Sequence, residues 1–420
     1  MNIFDDSQPS PNAWGAYDRA YTADRQDANA RDRQDEDDPA LKRLRHVLST
    51  IDGKLKEQVE GWVKKWNQVL RESMRNQTAL RLSVGEERAS VPIRVTDGMP
   101  SPLRNLLAQR KDDELYLLLR MPLIIQARDG ARHVAETKVI PNGSLSWLSN
   151  ERDGLLKSRD TFQRIIRELG LSDLLHRVAG INEDILGAYY FRIPEIRIHW
   201  MSVGFVSSIL GVDPEALTIV TLAHELAHAY THKGQDIDGQ RWDGGNAFAL
   251  SDLCVVEGLA QFFTAQCCKD MGTRHPLAVS TYETLLDNQP AAYQIHTEWV
   301  NEQHGSSSEI VRFSMLECRG LERVQHPQFA QALMENRTRM LRGKPVKALA
   351  PDQYAQLADA MCKAIENRPE GQTRQDLCTT LHIDADAWWQ LIIDAMANNG
   401  VRRQRQGASI RYVSTRKKTA

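Results

Sequence analysis

The segment from Thr221 to His232 reads TLAHELAHAYTH and carries residues that can do metal chemistry together. Residues four apart lie on one face of an α-helix, so His224 and His228 can direct both imidazoles at one ion. Glu225 points to the adjacent side, from which its carboxylate can act as a general base toward a water molecule. Two neutral nitrogen ligands and such a base are the parts that a divalent metal ion uses to activate water. Because HExxH also arises by chance, the pattern needs a second motif.

Glu257 is the best candidate for the third ligand that a catalytic zinc ion usually takes from the protein. His232 is too far away, since eight residues place it about 12 Å along the helix axis from His224. Glu257 stands in VVEGLAQFFTA, where the neighbouring residues are mostly apolar or small. A buried carboxylate is costly without a cation, and an ion held by two histidines supplies one. The sequence therefore predicts a Zn²⁺ site.

HELAH followed further along the chain by EGLAQFF resembles the gluzincin branch of the HExxH metallopeptidases. It is similar in particular to the peptidase-MA-like and ImmA/IrrE-like groups, and the resemblance covers residues 193–270. The resemblance implies that His224, His228 and Glu257 ligate zinc and that Glu225 is the catalytic base. It also implies hydrolysis of peptide bonds in a protein or peptide substrate.

Other parts of the site stay open at this level. Some gluzincins place a carboxylate one turn after the glutamate ligand to orient a histidine. That position is Gln261 here, which can accept a hydrogen bond from an imidazole but carries no charge. The cleft residues His199 and Trp200 are expected mainly to pack. A second donor to the reaction's oxyanion is needed besides the metal, and four downstream residues are candidates: Tyr282, Tyr293, His296 and Arg312.

The chain is predicted to be an α+β protein with four units. Residues 1–38 are expected to be a disordered tail, because ten acids face four arginines between Asp5 and Asp38 and little can be buried. Residues 39–185 are predicted to form a mixed N-terminal region of unknown role. Residues 186–345 are predicted to form a zincin-like domain, and residues 350–420 a winged helix-turn-helix.

Periodicity predicts the elements of the N-terminal region. Apolar residues recur every three or four positions from Leu41 to about residue 70, which predicts a long helix that Gly53 and Gly61 weaken without stopping. The runs LRLSV, SVPIRV, ELYLLLRMPLIIQ and RHVAETKVI predict strands of an antiparallel sheet. Residues 152–185 return to a helical pattern.

Clear start and stop signals surround the motifs. The segment 193–201 alternates as a strand does. Asp213 and Pro214 predict the start of the HExxH helix, and Gly234 its end. A second helix is expected from about Asp252 to Gly272, and residues 275–345 are expected to be mostly helical.

The last part of the chain predicts a helix near 353–366, a short helix, a longer helix over 384–398 and a hairpin that turns at Gln406–Gly407. Seven basic residues and no acid follow Gly400, which suits a wing that contacts DNA phosphates. The predicted recognition helix is acidic, however, and its two tryptophans, Trp388 and Trp389, suit a core. Binding of DNA and docking of a protein both stay open.

Composition restricts the setting. The N-terminus does not have the pattern of a secretory signal, and no apolar run is long enough for a membrane span. The six cysteines form no CxxC pair, and Cys267 and Cys268 are expected to pack on a helix, so reduced thiols in the cytoplasm are predicted. The main hypothesis is a cytoplasmic zinc peptidase with a localising or switching winged helix. One alternative is a nucleic-acid-binding regulator with a non-catalytic zincin-like domain, and another is a scaffold that uses the long helix.

Overall fold

A computed structural model describes most of the chain. The described residues are 38–82, 91–136, 145–170, 185–191, 194–236, 250–299, 308–321, 323–341, 345–398, 400–407 and 409–415, with Leu174, Val178, Trp242 and Phe248. The predicted disordered tail lies outside these residues except for Asp38. The Asp38 side chain accepts a hydrogen bond from the Ala40 amide and caps the first helix.

Two helices, not one, follow the N-terminal cap. Helix α1 spans Pro39–Ile51 and helix α2 spans Leu55–Thr78. The prediction of one continuous helix was wrong at Gly53, because Asp52 is extended and the chain turns before α2 begins. Glycine lowers helix stability by about 1 kcal/mol relative to alanine, which weakens the helix at this point. The predicted apolar stripe is buried on both helices, at Leu44, Leu48, Leu55, Val59 and Trp66 among others.

The runs ELYLLLRMPLIIQ and RHVAETKVI were predicted to be strands, and this was wrong where they are described, since the chain is helical there; residues 137–140 lie outside the described residues. Strand β1 covers Ile93–Thr96, and four helices follow: α3 Ser101–Ala108, α4 Asp112–Leu119, α5 Met121–Glu136 and α6 Leu145–Glu168. In α4 the buried residues Leu115, Leu118 and Leu119 have helical spacing, and three acids occupy the first turn, where the helix dipole favours them. The run LRLSV contributes only an isolated bridge between Arg81 and Gln235, and its last two residues lie outside the described part.

A small mixed sheet replaces the predicted antiparallel one. Strands β2 (Gly187–Tyr190) and β3 (Glu195–His199) form it with β1, in the order β1–β3–β2. β1 runs parallel to β3, with Ile93 opposite Ile196, so this part of the prediction was wrong. β2 runs antiparallel to β3. Helices far outnumber strands among the described residues, which is compatible with the α+β class.

The HExxH helix lies at the centre of the molecule. Helix α7 spans Trp200–Leu210, α8 spans Pro214–Lys233 and α9 spans Leu253–Met271. The predicted limits of α8 are confirmed, because the Asp213 side chain accepts from the Ala216 amide and Gly234 closes the last turn. All residues of α8 from Ala216 to His232 are buried, and the helix contacts α2, α9, the helix that follows α9, and strand β2. A helix buried on every side must satisfy its polar groups internally.

The predicted helices after α9 are confirmed: α10 Leu277–Asn288, α11 Ala291–Gln294, α12 His296–Trp299, α13 Ser308–Cys318 and α14 His326–Leu341. Three further helices and a hairpin form what we call the C-terminal unit, residues 351–415. They are α15 Pro351–Glu366, α16 Arg374–Leu381, α17 Ala385–Ala397, β4 Val401–Gln406 and β5 Ser409–Ser414. The order of elements is the predicted one, and Gly407 adopts a positive φ at the hairpin turn.

Helix α17, the predicted recognition helix, is part of the core. Trp388 and Trp389 are buried, as expected, together with Leu391, Ile392 and Ile393. α17 contacts α11 and α12, so the C-terminal unit is docked on the centre of the molecule. Packing crosses the predicted boundaries elsewhere too, because α2 contacts α8 and β1 pairs with β3. The division into four units stays a prediction.

Within the described residues, no helix is both long and apolar enough to cross a bilayer. All six cysteines lie in the described part of the chain, and no disulfide bond joins any two of them. Cys267 and Cys268 are both buried on α9, in agreement with the predicted packing role.

Candidate metal centre

The structure brings the four predicted site residues together. His224, Glu225 and His228 come from the middle of α8, and Glu257 comes from the first turns of α9. The two helices pack against each other. All four side chains are buried, and Glu257 is 0% exposed. Among the described residues, His224, His228 and Glu257 are the one group whose ligand atoms are close enough to share an ion.

The three ligand atoms form a nearly equilateral triangle. His224 Nε2 lies 3.2 Å from His228 Nε2. Glu257 Oε2 lies 3.3 Å from His224 Nε2 and 3.4 Å from His228 Nε2. A tetrahedral zinc ion with bonds of about 2.0–2.1 Å separates its ligand atoms by about 3.3–3.4 Å. The three side chains therefore fit a tetrahedral ion with its fourth position facing away from the triangle.

The charge of Glu257 supports the same fit. Apart from the His224 and His228 rings, neither carboxylate oxygen has a hydrogen-bond partner in the described part of the chain, and both are buried. Burial raises the pKa of this carboxyl, but the adjacent imidazoles of His228 and His224 outweigh burial and hold the pKa well below its ordinary value. An ionised carboxylate in such a place needs a cation, and a divalent ion shared with two imidazoles satisfies that need. The donor set, two nitrogens and one oxygen, is compatible with zinc without being unique to it.

Glu225 lies beside a cavity at the metal centre. The cavity has a volume of about 110 Å³, and aliphatic and polar side chains line it in similar numbers, His224 and Glu225 among them. Gly187 brings β2 close to this point, since a Cβ atom there would lie 3.1 Å from Glu225 Cγ and 3.0 Å from Thr221 Cγ2. A side chain at this position would be tightly packed, so glycine fits best where the strand meets the helix. This close approach of Gly187 to the HExxH helix was not predicted from the sequence.

Gly258, the residue after the glutamate ligand, has a packing role. A Cβ atom at this position would collide with the Trp299 ring and press on Ile295. The absence of a side chain lets α9 approach the segment that carries α12. The glycine of EGLA is therefore explained by contact between elements, which single-sequence reasoning cannot detect.

His232 is not a ligand, in agreement with the sequence argument. Its Nδ1 lies 3.0 Å from Tyr189 Oη, and its ring stacks on Phe248. Phe191 contacts both His232 and His228 edge to face. Burial raises the pKa of Tyr189 far above its ordinary value, so the phenol stays neutral. His232 thus belongs to an aromatic cluster beside the centre.

The four candidate oxyanion donors differ in the hydrogen bonds that they already make. Arg312 is excluded because its guanidinium pairs with Asp236 at 2.8 Å and donates to the Thr78 carbonyl. His296 Nδ1 donates to the Tyr293 carbonyl at 2.9 Å, so its Nε2 accepts from Tyr282 Oη at 2.8 Å. Burial lowers the pKa of His296 to about 3, so the ring is neutral.

Tyr293 is the best placed of the four. The Tyr282 side chain lines the cavity, but its hydroxyl is already engaged by His296 Nε2 and by the Gln261 carbonyl, which lies 3.2 Å away. Tyr293 also lines the cavity, and its ring stacks near His224 with centroids 6.4 Å apart. Of the four candidates, Tyr293 is the one that both lines the cavity and places its ring against a proposed ligand.

Gln261 does not accept a hydrogen bond from an imidazole, although its position would allow one. Gln261 Nε2 donates to Gln289 Oε1 at 3.0 Å, and Gln261 Oε1 has no hydrogen-bond partner in the described part of the chain. The same is true of His228 Nδ1. Gln261 instead connects α9 to the residues that follow α10, at the cavity.

His199 and Trp200 do not line the cavity, as their expected packing role implies. His199 Nδ1 lies 3.0 Å from Thr96 Oγ1, and Trp200 Nε1 donates to Asp97 at 2.7 Å. Burial, reinforced by Arg197, lowers the pKa of His199 to about 4. A larger open groove between α2 and β1 contains none of the predicted site residues.

Comparisons of the chain with protein-family models, with curated proteins and with solved structures found no match. The resemblance to gluzincins thus depends on two short motifs, HELAH and EGLAQFF. The functional interpretation depends on the geometry of the centre.

Proposed function

We propose that this chain is a zinc-dependent metallopeptidase. The observation that carries the proposal is the triangle of His224 Nε2, His228 Nε2 and Glu257 Oε2, with separations of 3.2–3.4 Å in a fully buried place. The position of Glu225 beside these ligands and at the cavity favours hydrolysis over a purely structural metal site. A structural zinc site closes all four positions with protein ligands, and only three protein ligands meet here among the described residues.

Each side chain has a distinct role in the proposed reaction. His224, His228 and Glu257 would hold the metal. When bound, zinc supplies a Lewis acid that polarises a peptide carbonyl and makes water nucleophilic near neutral pH. Glu225 accepts the proton of the attacking water on its carboxylate and passes it to the amide nitrogen that leaves.

Tyr293 is the proposed donor to the oxyanion. Its ring lines the cavity and stacks near the His224 ring. A donor fixed in advance at this place needs no reorganisation during the reaction.

The proposed setting is the cytoplasm, with the C-terminal unit acting as a winged helix that localises or switches the peptidase. The absence of disulfides among the six cysteines supports a reducing compartment. The order of helices and hairpin supports the winged-helix interpretation. DNA is a proposed partner, and α17 would have to leave the core to enter a groove, because its apolar face is buried. DNA binding by the full-length protein should be tested at low salt, about 50 mM, where contacts with phosphates are strong. No binding of duplex DNA under this condition would contradict DNA as a partner.

The substitution Glu225→Gln tests the enzymatic proposal. We expect it to lower kcat by about 10²–10⁴-fold, because the general base is lost. Zinc content should stay unchanged, because Glu225 is not a ligand. The assay follows cleavage of a denatured protein and of a random peptide library by mass spectrometry. Glu309→Gln, which changes an exposed glutamate on α13, is the matched control. Equal cleavage by wild type and Glu225→Gln would refute the assigned base.

A further inference from the structure

One segment of the chain contacts both the cavity and the C-terminal unit. We call residues 277–299, which comprise α10, α11 and α12, the cavity wall segment. Tyr282, Gln289 and Tyr293 line the cavity from this segment. The same segment contacts α17 and β4 of the C-terminal unit. The cavity and the C-terminal unit are therefore joined through one short stretch of chain.

Hydrogen bonds from the C-terminal unit fasten the cavity wall segment at two points. The Arg403 amide of β4 donates to Gln294 Oε1 at 2.9 Å. Tyr412 Oη of β5 donates to Glu298 Oε1 at 2.8 Å, and Trp389 Nε1 of α17 donates to the Glu298 carbonyl at 3.2 Å. Gln294 is 0% exposed and Glu298 is 4% exposed. Buried polar groups of this kind are costly to leave without partners.

Gln294 also closes the turn that carries the cavity residues. Its Nε2 donates to the Leu286 carbonyl at 2.8 Å, near the end of α10. Gln289, Pro290 and Tyr293 lie between these two points and line the cavity. One amide thus joins the start of the turn, its end and strand β4. Loss of either hydrogen bond would loosen the turn next to His224.

The ion pairs at this interface are of a different kind. Arg405 pairs with Glu283 at 2.8 Å and with Asp287 at 3.4 Å, but these side chains are partly exposed. Exposed pairs contribute little to stability. The buried contacts of Gln294 and Glu298 therefore carry most of the specific attachment.

We infer that the C-terminal unit holds the cavity in its working shape and that Gln294 is a positioning residue, acting through Tyr293. This inference rests on the proposed peptidase function for its effect on activity. Its structural part, the coupling of the unit to residues 286–299, can be measured without any substrate. The C-terminal unit thus supports the site in its docked state, and its release would lower activity.

The test uses full-length protein with Gln294→Met, which keeps the size of the side chain and removes both hydrogen bonds. We expect amide hydrogen exchange in residues 286–299 to be about tenfold faster, with exchange in α8 unchanged. We expect kcat on the peptide library to fall on the order of tenfold, as a small displacement of a reacting group produces, with zinc content unchanged.

Tyr412→Phe and Tyr354→Phe form a matched pair if Gln294→Met folds poorly. Both substitutions remove one hydroxyl from the C-terminal unit. The Tyr412 hydroxyl donates a hydrogen bond to Glu298 of the cavity wall segment, whereas the Tyr354 hydroxyl donates to Asp394 inside the unit. Only Tyr412→Phe should speed exchange in residues 286–299. Equal effects of the two substitutions, unchanged exchange in Gln294→Met, or a rise in activity would each overturn the inference. Absence of cleavage by the wild type would instead contradict the proposed function, and the exchange results would still decide the coupling.

Discussion

Two groups of buried histidines differ in what surrounds them. His224 and His228 face the carboxylate of Glu257 with their Nε2 atoms. His199 and His296 face a hydroxyl or carbonyl group, and each ring has an ordinary hydrogen-bond partner. Burial is similar in both groups. A buried histidine therefore indicates a metal only when its nitrogen atoms converge with another imidazole on an anion that has no other partner.

The same contrast explains which signals were readable in the sequence. The i, i+4 spacing fixes the relation of His224 to His228, because both belong to one helix. The cap at Asp213 and the glycine at Gly234 fixed the helix ends. Glu257 was found because a carboxylate in an apolar run is costly. These are local arguments, and all of them led to residues that lie together.

Zinc affinity should show the largest difference between a histidine of the metal centre and a buried histidine outside it. We expect His228→Gln to weaken zinc binding by more than about 100-fold, since losing a ligand should cost more than losing a hydrogen bond that orients one, which is worth about 10–100-fold. We expect His232→Gln, which changes the next buried histidine of the same helix, to bind zinc as wild type does. Competition with a chromophoric chelator measures both affinities. Similar losses in the two variants would mean that the ring of His228 has no special role.

Acid should destabilise the protein through His199. Its pKa in the folded chain is about 4, below the ordinary value of 6.5, so the unfolded chain binds more protons between these pH values. The contribution of His199 to stability is therefore complete above pH 6.5 and lost as pH falls to 4, a change of about 3 kcal/mol.

Urea unfolding at pH 7 and pH 4 tests this, with the zinc removed by chelator from every sample. We expect the wild type to lose about 3 kcal/mol more than His199→Gln between the two pH values. Chelation keeps metal release out of the difference. An identical loss in both proteins would show that folding does not lower the pKa of His199.

Removing Tyr282, the hydrogen-bond partner of His296, should have the smallest effect on stability. Tyr282→Phe leaves His296 Nε2 buried without its donor, which costs about 1–3 kcal/mol of unfolding free energy. Zinc content should not change, because neither residue is a ligand. Thermal unfolding combined with elemental analysis tests both statements. Loss of zinc in this variant would show that the two groups of histidines are not independent.

The parts of the fold that the sequence did not predict are those decided by distant contacts. The segment ELYLLLRMPLIIQ has leucines that suit either a strand or a helix, and packing of Leu115 and Leu118 selected the helix. The parallel pairing of β1 with β3 joins residues about one hundred positions apart, and nothing local specifies it. Gly187 and Gln294 were missed for the same reason, since each matters through an element elsewhere in the chain.

Elemental analysis of purified full-length protein and of Glu257→Gln decides whether the centre holds a metal. The substitution keeps the shape of the buried side chain and removes its charge, so it tests the shared cation with little change in packing. We predict about one zinc ion per chain in the wild type and a large loss in Glu257→Gln. A wild type without bound divalent metal, or a Glu257→Gln variant that retains as much zinc as the wild type, would contradict the proposed centre.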